Sequence, residues 1–201
     1  MNKVLTSDAA GLASWSTPSG WGLTGNTGTV AGTNFLGTTD NIDVVFKRNN
    51  VEGMRLSGAS GNLVTTADAT VNGMTVGRGG ANVATNTANG DLALYSNTTG
   101  SFDTAYGYRA MFSNTTGYNN TAIGQQALYA NTSGYWNTAN GAGALVANTT
   151  GYQNVANGVN SQYSNTSGYN NTTNGVNSLF SNTMGTDNVA NGFQSLGYNT
   201  V

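Results

Sequence analysis

The sequence predicts an all-β fold: a repeat β-solenoid of seventeen-residue coils, preceded by a small β-hairpin region and assembled as a trimer. Three observations carry that prediction. Cut every seventeen residues from Ser96 to Gly197, the chain falls into six copies in register, SNTTGSFDTAYGYRAMF first and SNTMGTDNVANGFQSLG last. Four columns of the repeat never change: Asn at the second, Thr at the third, and Gly at the fifth and twelfth. The apolar positions are few and mostly small, so one copy cannot bury a core alone and must stack on its neighbours.

Taken in order, residues 1–34 read as an irregular linker rich in Ser, Thr and Gly, with Trp15, Pro18 and Trp21 as isolated anchors. The tryptophans would pack on a neighbouring domain or chain; the sharper alternative is an aromatic pair that stacks a sugar. Residues 35–77 hold much of the charge and read as a small β-structured region. Ile42, Val44 and Phe46 recur with the period of two of a strand. Asn49-Asn50 turns the chain, and Val51 to Leu56 returns antiparallel with Glu52, Met54 and Leu56 on one face. The run Gly58 to Gly61 turns it again, before Leu63-Val64 and a strand-like run from Val71 to Val76. Lys47, Arg48, Glu52 and Arg55 are expected to form surface pairs worth under ~1 kcal/mol, with a site for an acidic ligand as the alternative. Residues 78–95 are a joint, Arg78-Gly79-Gly80, and a degenerate first coil. There Asn86 to Gly90 matches Asn137 to Gly141, but Val83 stands in the column of the first glycine. Residues 96–201 are the repeat itself, and Tyr198 to Val201 begin a further copy. Such an ending is expected of a chain that was cleaved or that continues into another subunit.

Within a coil, Asn120 to Gly124 has short-strand character. Corners fall at the column-five glycines (Gly100, Gly117, Gly134, Gly151, Gly168, Gly185) and the column-twelve glycines (Gly107, Gly124, Gly141, Gly158, Gly175, Gly192). At such corners φ > 0 or close backbone approach excludes a side chain. Gln125 to Tyr129 has helix rather than strand propensity and predicts one helical turn per coil. Interior residues as small as Ala remove little apolar area from water, at about 25 cal/mol per Å². Two devices compensate. Packing of several chains about one axis is the first. The second is a ladder of side-chain hydrogen bonds along each stacked polar column, as at Asn97, Asn114, Asn131, Asn148, Asn165 and Asn182 of column two. Column eleven, with Asn140, Asn157, Asn174 and Asn191 after Tyr106 and Ile123, is expected to form a second interior ladder. Asn157→Leu is then expected to cost more than about 1 kcal/mol. The column-six tyrosines Tyr118, Tyr135, Tyr152 and Tyr169, flanked by Phe102 and Trp136, form either a structural stack or an exposed ridge that contacts a ligand.

Composition sets further bounds. The formal charge is −2 and only 7% of residues are charged, so there is no electrostatic footprint for nucleic acid or an anionic membrane. The chain has no Cys and no His, which excludes disulfides and thiolate metal sites and removes the commonest general base. No apolar run is long enough to span a bilayer as a helix. Between Ser96 and Gly197 the acids are Asp103 and Asp187, five coils apart, so no carboxylate pair forms. No glycine-rich stretch ends in the lysine that phosphate binding needs. No enzyme, cofactor or metal is expected. Asn97, Asn114, Asn119, Asn131, Asn148, Asn165, Asn170 and Asn171 stand in N-x-[ST] contexts, mostly as a by-product of the N-T-[ST] corner.

These residues carry a resemblance. NTTGYNNTAIGQQALYANTSG (114–134) resembles the repeats of long bacteriophage tail fibres and related bacterial surface proteins, often followed by an endosialidase-type intramolecular chaperone domain. KVLTSDAAGLASW (3–15), NFLGTTDNIDVVFKRNN (34–50) and VEGMRL (51–56) are similar to segments that precede such repeats. N-T-A-I-G is also similar, more weakly, to the N-S-x-A-I-G coils of trimeric autotransporter adhesin heads. The resemblance implies a trimeric, extracellular, non-catalytic shaft or adhesive element on a phage or cell surface. In that family the chaperone domain trimerises the fibre and is cleaved off; it is not among these residues. Two alternatives stand beside this reading. One is a self-assembling filament whose coils stack end to end. The other is a glycan-binding module that uses Tyr118, Tyr135, Tyr152 and Tyr169.

Overall fold

The computed structural model describes residues 4–7, 13–16, 42–57, 63–65, 68–71 and 74–200. It forms two units, Met1–Val64 and Thr65–Val201. In the first, β1 (Val4–Ser7) pairs antiparallel with β2 (Ala13–Ser16), Leu5 opposite Trp15. The N-terminal stretch is therefore not wholly an irregular linker; Pro18 and Trp21 lie outside the described residues. β3 (Val44–Arg48) and β4 (Val51–Leu56) form a hairpin, and β5 (Leu63–Thr65) extends its sheet in the order β3-β4-β5. Asn49 and Asn50 sit at φ 50° and 61°. Two central residues at positive φ make the turn whose twist matches a hairpin, and Asn tolerates that conformation. The turn from Gly58 to Gly61 lies outside the described residues.

The expected common face of Glu52, Met54 and Leu56 is broken. Lys47 pairs with Glu52, yet Phe46 pairs with Met54, so Gly53 is an extra residue on β4. Neighbours on β3 face opposite sides, and their partners Glu52 and Met54 therefore do too. The bulge brings Glu52 to the side of Arg55, whose guanidinium holds Glu52 at 2.6 Å and Asp43 at 2.9 Å.

The second unit starts with β6 (Ala69–Val71) and β7 (Met74–Gly77), an antiparallel hairpin where one strand from Val71 to Val76 was expected. β7 runs antiparallel to β8 (Thr87–Asn89). From there the strands are all parallel: β9 (Thr104–Tyr106), β10 (Thr121–Ile123), β11 (Thr138–Asn140), β12 (Val155–Asn157), β13 (Thr172–Asn174) and β14 (Val189–Asn191). Each pairs with the residue seventeen positions on, Thr121 with Thr138 and Ala122 with Ala139, in one nine-stranded sheet. This is a parallel β-solenoid. The degenerate coil takes part: a 3-10 turn, Gly80–Asn82, replaces its first corner, but β8 pairs with β9 in register. Its joint is pinned by Asp68, whose carboxylate accepts from the backbone N–H groups of Arg78 and Gly79, both at 2.7 Å.

The expected helical turn is absent. Gln126 and Leu128 lie at φ 59° and 51°, so the hand of the backbone alternates. Gln126 N then donates to Tyr108 O of the preceding coil at 2.9 Å, and Leu128 N to Ala144 O of the following coil at 3.0 Å. Bonds between coils replace the i→i−4 ladder that a helix requires. The same inversion recurs at Arg109 and Met111, and at Asn177 and Leu179.

The core is a stack of small columns. Ala105, Ala122, Ala139 and Ala156 of column ten are fully buried, as are Met111, Leu128, Leu145 and Leu179 of column sixteen. Because column ten points inward, the period of two sends columns nine and eleven outward. Tyr106, Ile123, Asn140, Asn174 and Asn191 are accordingly exposed, and Asn157 is half-buried. Column eleven is therefore not an interior ladder, contrary to expectation. The bond from Asn157 Nδ2 to Asn174 Oδ1, 2.8 Å, lies on the surface.

Candidate functional site

Two asparagine ladders run through the interior, in columns two and eight. In column two, Asn131 Nδ2 donates to Asn114 Oδ1 and Asn148 Nδ2 to Asn131 Oδ1, both at 2.8 Å. Asn97 and Asn114, and then Asn165 and Asn182, continue the series at 3.2 Å. In column eight, Asn137 donates from both N and Nδ2 to Asn120 Oδ1, at 3.0 and 3.2 Å. The ladders share an acceptor: Gly134 O receives Asn131 Nδ2 at 3.1 Å and Asn120 Nδ2 at 2.9 Å. Thin apolar columns are thus supplemented by buried amides whose donors and acceptors are matched.

That crossing explains the invariant glycines. A Cβ on Gly117 would meet Asn114 Oδ1 and the Gly134 carbonyl, so column five needs space while its φ lies outside the left-handed range. Column twelve needs conformation as well: Gly124 has φ +133°, and a Cβ there would meet the Gly141 carbonyl. The invariant threonines act by their hydroxyls. Thr115 Oγ1 donates to Thr132 O at 2.9 Å and Thr149 Oγ1 to Thr166 O at 3.0 Å.

Column eight escaped the sequence reading, which placed its asparagine ladders in columns two and eleven. It is Asp103, then Asn120, Asn137, Asn154, Asn171 and Asn188, with Asn86 ahead of them. Parity with the inward alanine two residues on would have found it. Asp103 is its irregular rung. Its Oδ1 accepts from Asn120 N at 2.9 Å and Nδ2 at 3.2 Å, and its Oδ2 from Asn114 Nδ2 at 3.1 Å. It has no amide to give Gly117 O, the acceptor that Asn120 reaches as Gly134 O one coil on. Burial pushes its carboxyl up to about 6, against the opposing pull of the Asn120 and Asn114 hydrogen bonds. Asp103 is a structural rung, not an acid poised over a cleft.

A second irregularity lies at Gln162, fully buried where other coils carry Leu or Met. Its amide Nε2 reaches Val155 O at 2.9 Å and Thr173 Oγ1 at 3.1 Å, while its Oε1 has no partner. Thr173 and Ser178 replace alanines of other coils, and Ser161 Oγ bonds both.

Outside, two aromatic columns follow the stack. Tyr118, Tyr135, Tyr152 and Tyr169 lie face to face at 5.0, 4.9 and 4.7 Å with interplanar angles of 2°, 6° and 3°. Trp136 meets Tyr135 edge-on at 5.3 Å. Both faces of Tyr135 and Tyr152 are thus covered by neighbouring rings, and along the middle of the column a ligand would meet edges and hydroxyls. Burial, then the flanking Tyr169 and Tyr135, raise the Tyr152 phenol above its ordinary value. The other column stacks Tyr95, Phe112 and Tyr129 at 5.4 Å, with the Arg109 guanidinium 5.5 Å from the Phe112 centroid. Among the described residues no cluster of His, Cys, Asp or Glu forms a metal site, and no helix is long and apolar enough to cross a membrane.

These features define a parallel β-solenoid repeat protein with amide-laddered interior columns. Comparison with protein-family models, curated proteins and solved structures found no match to the chain.

Proposed function

We propose that the chain is a non-catalytic segment of an extracellular fibre, a stalk or adhesive element that works as a trimer. The observation that carries this reading is the constant register of the parallel strands, each coil repeating the bonds of the last. Length in such a stack is additive, about 4.8 Å per coil, which suits a spacer. The buried carboxylate of Asp103 is engaged in a ladder, in keeping with a structural role. The outward strand face carries Tyr106 and Ile123, 57% and 42% exposed, apolar surface of the kind that a neighbouring chain covers. The repeat's resemblance to tail-fibre sequences points the same way.

Light scattering and electron microscopy of the purified chain test the reading. A particle of three 20.6 kDa chains with a rod-shaped outline is expected. A monomer would remove the trimer, and round particles without a rod would remove the fibre.

A further inference from the structure

Between Tyr95 and Phe180 the column-seventeen stack has one ring missing. Phe112 and Tyr129 stack at 5.4 Å, and Tyr163 and Phe180 at 5.0 Å, but the position between Tyr129 and Tyr163 is Val146. Columns thirteen and fourteen shrink in the same coil, to Ala142 and Gly143, where the preceding coil has Gln125 and Gln126. The small residues open a groove of about 440 Å³ whose lining includes Gln125, Gln126, Gly143, Val146, Asn160 and Tyr163. A six-membered ring in the place of the missing one, one coil from Tyr163, would lie about 4.8 Å from it, an ordinary stacking distance.

We propose that this groove binds one neutral pyranose ring of a glycan against Tyr163, in the place of the ring that Val146 lacks. Phe180 stacks on one face of Tyr163, and Tyr163 borders the groove. The sugar's C–H face matches an aromatic face, and its hydroxyls need groups that both donate and accept. Amides do both, and the side chains of Gln125, Gln126 and Asn160 have no hydrogen bond within the described residues. Asn160 Oδ1 stands over Gly143, close enough to meet a Cβ placed there. No carboxylate, lysine or arginine lines the groove, which favours a neutral sugar over an acidic one. The proposal deepens the surface-element reading and rests on it only for the setting in which a glycan is met.

Saturation-transfer NMR on the full chain tests it, with methyl β-D-glucopyranoside, methyl β-D-galactopyranoside, methyl α-D-mannopyranoside and indole as probes. Transfer to the ring protons of at least one glycoside is expected. Val146→Tyr restores the missing ring, so it should melt no lower than the parent and weaken glycoside binding at least about tenfold. Tyr163→Leu removes the aromatic wall and should weaken binding similarly. No transfer to any glycoside, transfer to indole alone, or unchanged glycoside binding by Val146→Tyr would each overturn the site. A monomeric particle that still binds the glycoside would remove the fibre and leave the site. A trimeric rod that binds none would do the reverse.

Discussion

Asp103 is one atom away from the asparagine found at its position in the other coils, and that atom decides how it titrates. Between its ordinary value of 3.8 and about 6, the folded chain holds a proton that the unfolded chain releases. Stability therefore rises as pH falls through about 6 and reaches its full gain below the ordinary value, ~3 kcal/mol in all. Asp103→Asn supplies the missing donor to Gly117 O at every pH. Thermal melts at pH 7.5 and 4.5 should show the variant above the parent at the higher pH, without the parent's rise on acidification. The two Asn columns also part company here. Asn148→Ala removes a fully buried amide bonded to Asn131, Asn165 and Gly151, and stranding those partners should cost about 2–4 kcal/mol. Asn157→Leu, on the outer face, should change stability by less than ~0.5 kcal/mol, which replaces the larger cost expected from sequence. Equal losses for the two in denaturant titrations would refute this placement of the columns.

At the scale of one coil, polar substitutions come as a set. Gln162 satisfies its Nε2 with Thr173 but leaves Oε1 buried and unpaired. Gln162→Leu restores the side chain that neighbouring coils use and removes the orphan, while Thr173 keeps its bonds to Ser161 and Val155 O. A gain of ~1 kcal/mol is expected, read as a rise in melting temperature; a fall would mean that the amide holds more than it strands. The corner is less forgiving. Gly124→Ala introduces a side chain at φ +133° and drives it into the Gly141 carbonyl. Both penalties fall on backbone that cannot yield, so a loss of soluble folded protein is expected, by circular dichroism and yield.

Across the whole array, the unit of tolerance is the coil. Excision of residues 147–163 joins Val146 to Ser164 and keeps every column in register. The shortened chain should fold, with a rod shorter by about 4.8 Å in small-angle scattering. Excision of eight residues from the same place leaves one coil too short to match its neighbours column for column and should abolish cooperative melting. Stability in such an array is close to a sum of nearest-neighbour terms. The coil pair around Gln162, with polar groups in place of Ala and Leu, is then the place where opening starts.

The seventeen-residue period, the coil as stacking unit and the two glycine corners were legible in the sequence, because stacking forces equivalent residues into one environment. The inward parity of column eight was legible too, in the alanine two residues on, but needed the strand's period to be carried back past Thr121. Two things were decided only by the tertiary structure. Gln125 to Tyr129 reads locally as helix, yet its N–H groups find carbonyls in the coils on either side, so the backbone inverts at Gln126 and Leu128. The tyrosine column reads as a ridge, yet stacking at 4.7–5.0 Å turns its faces on one another. Both outcomes depend on partners seventeen residues away, and local propensity carries no information about those.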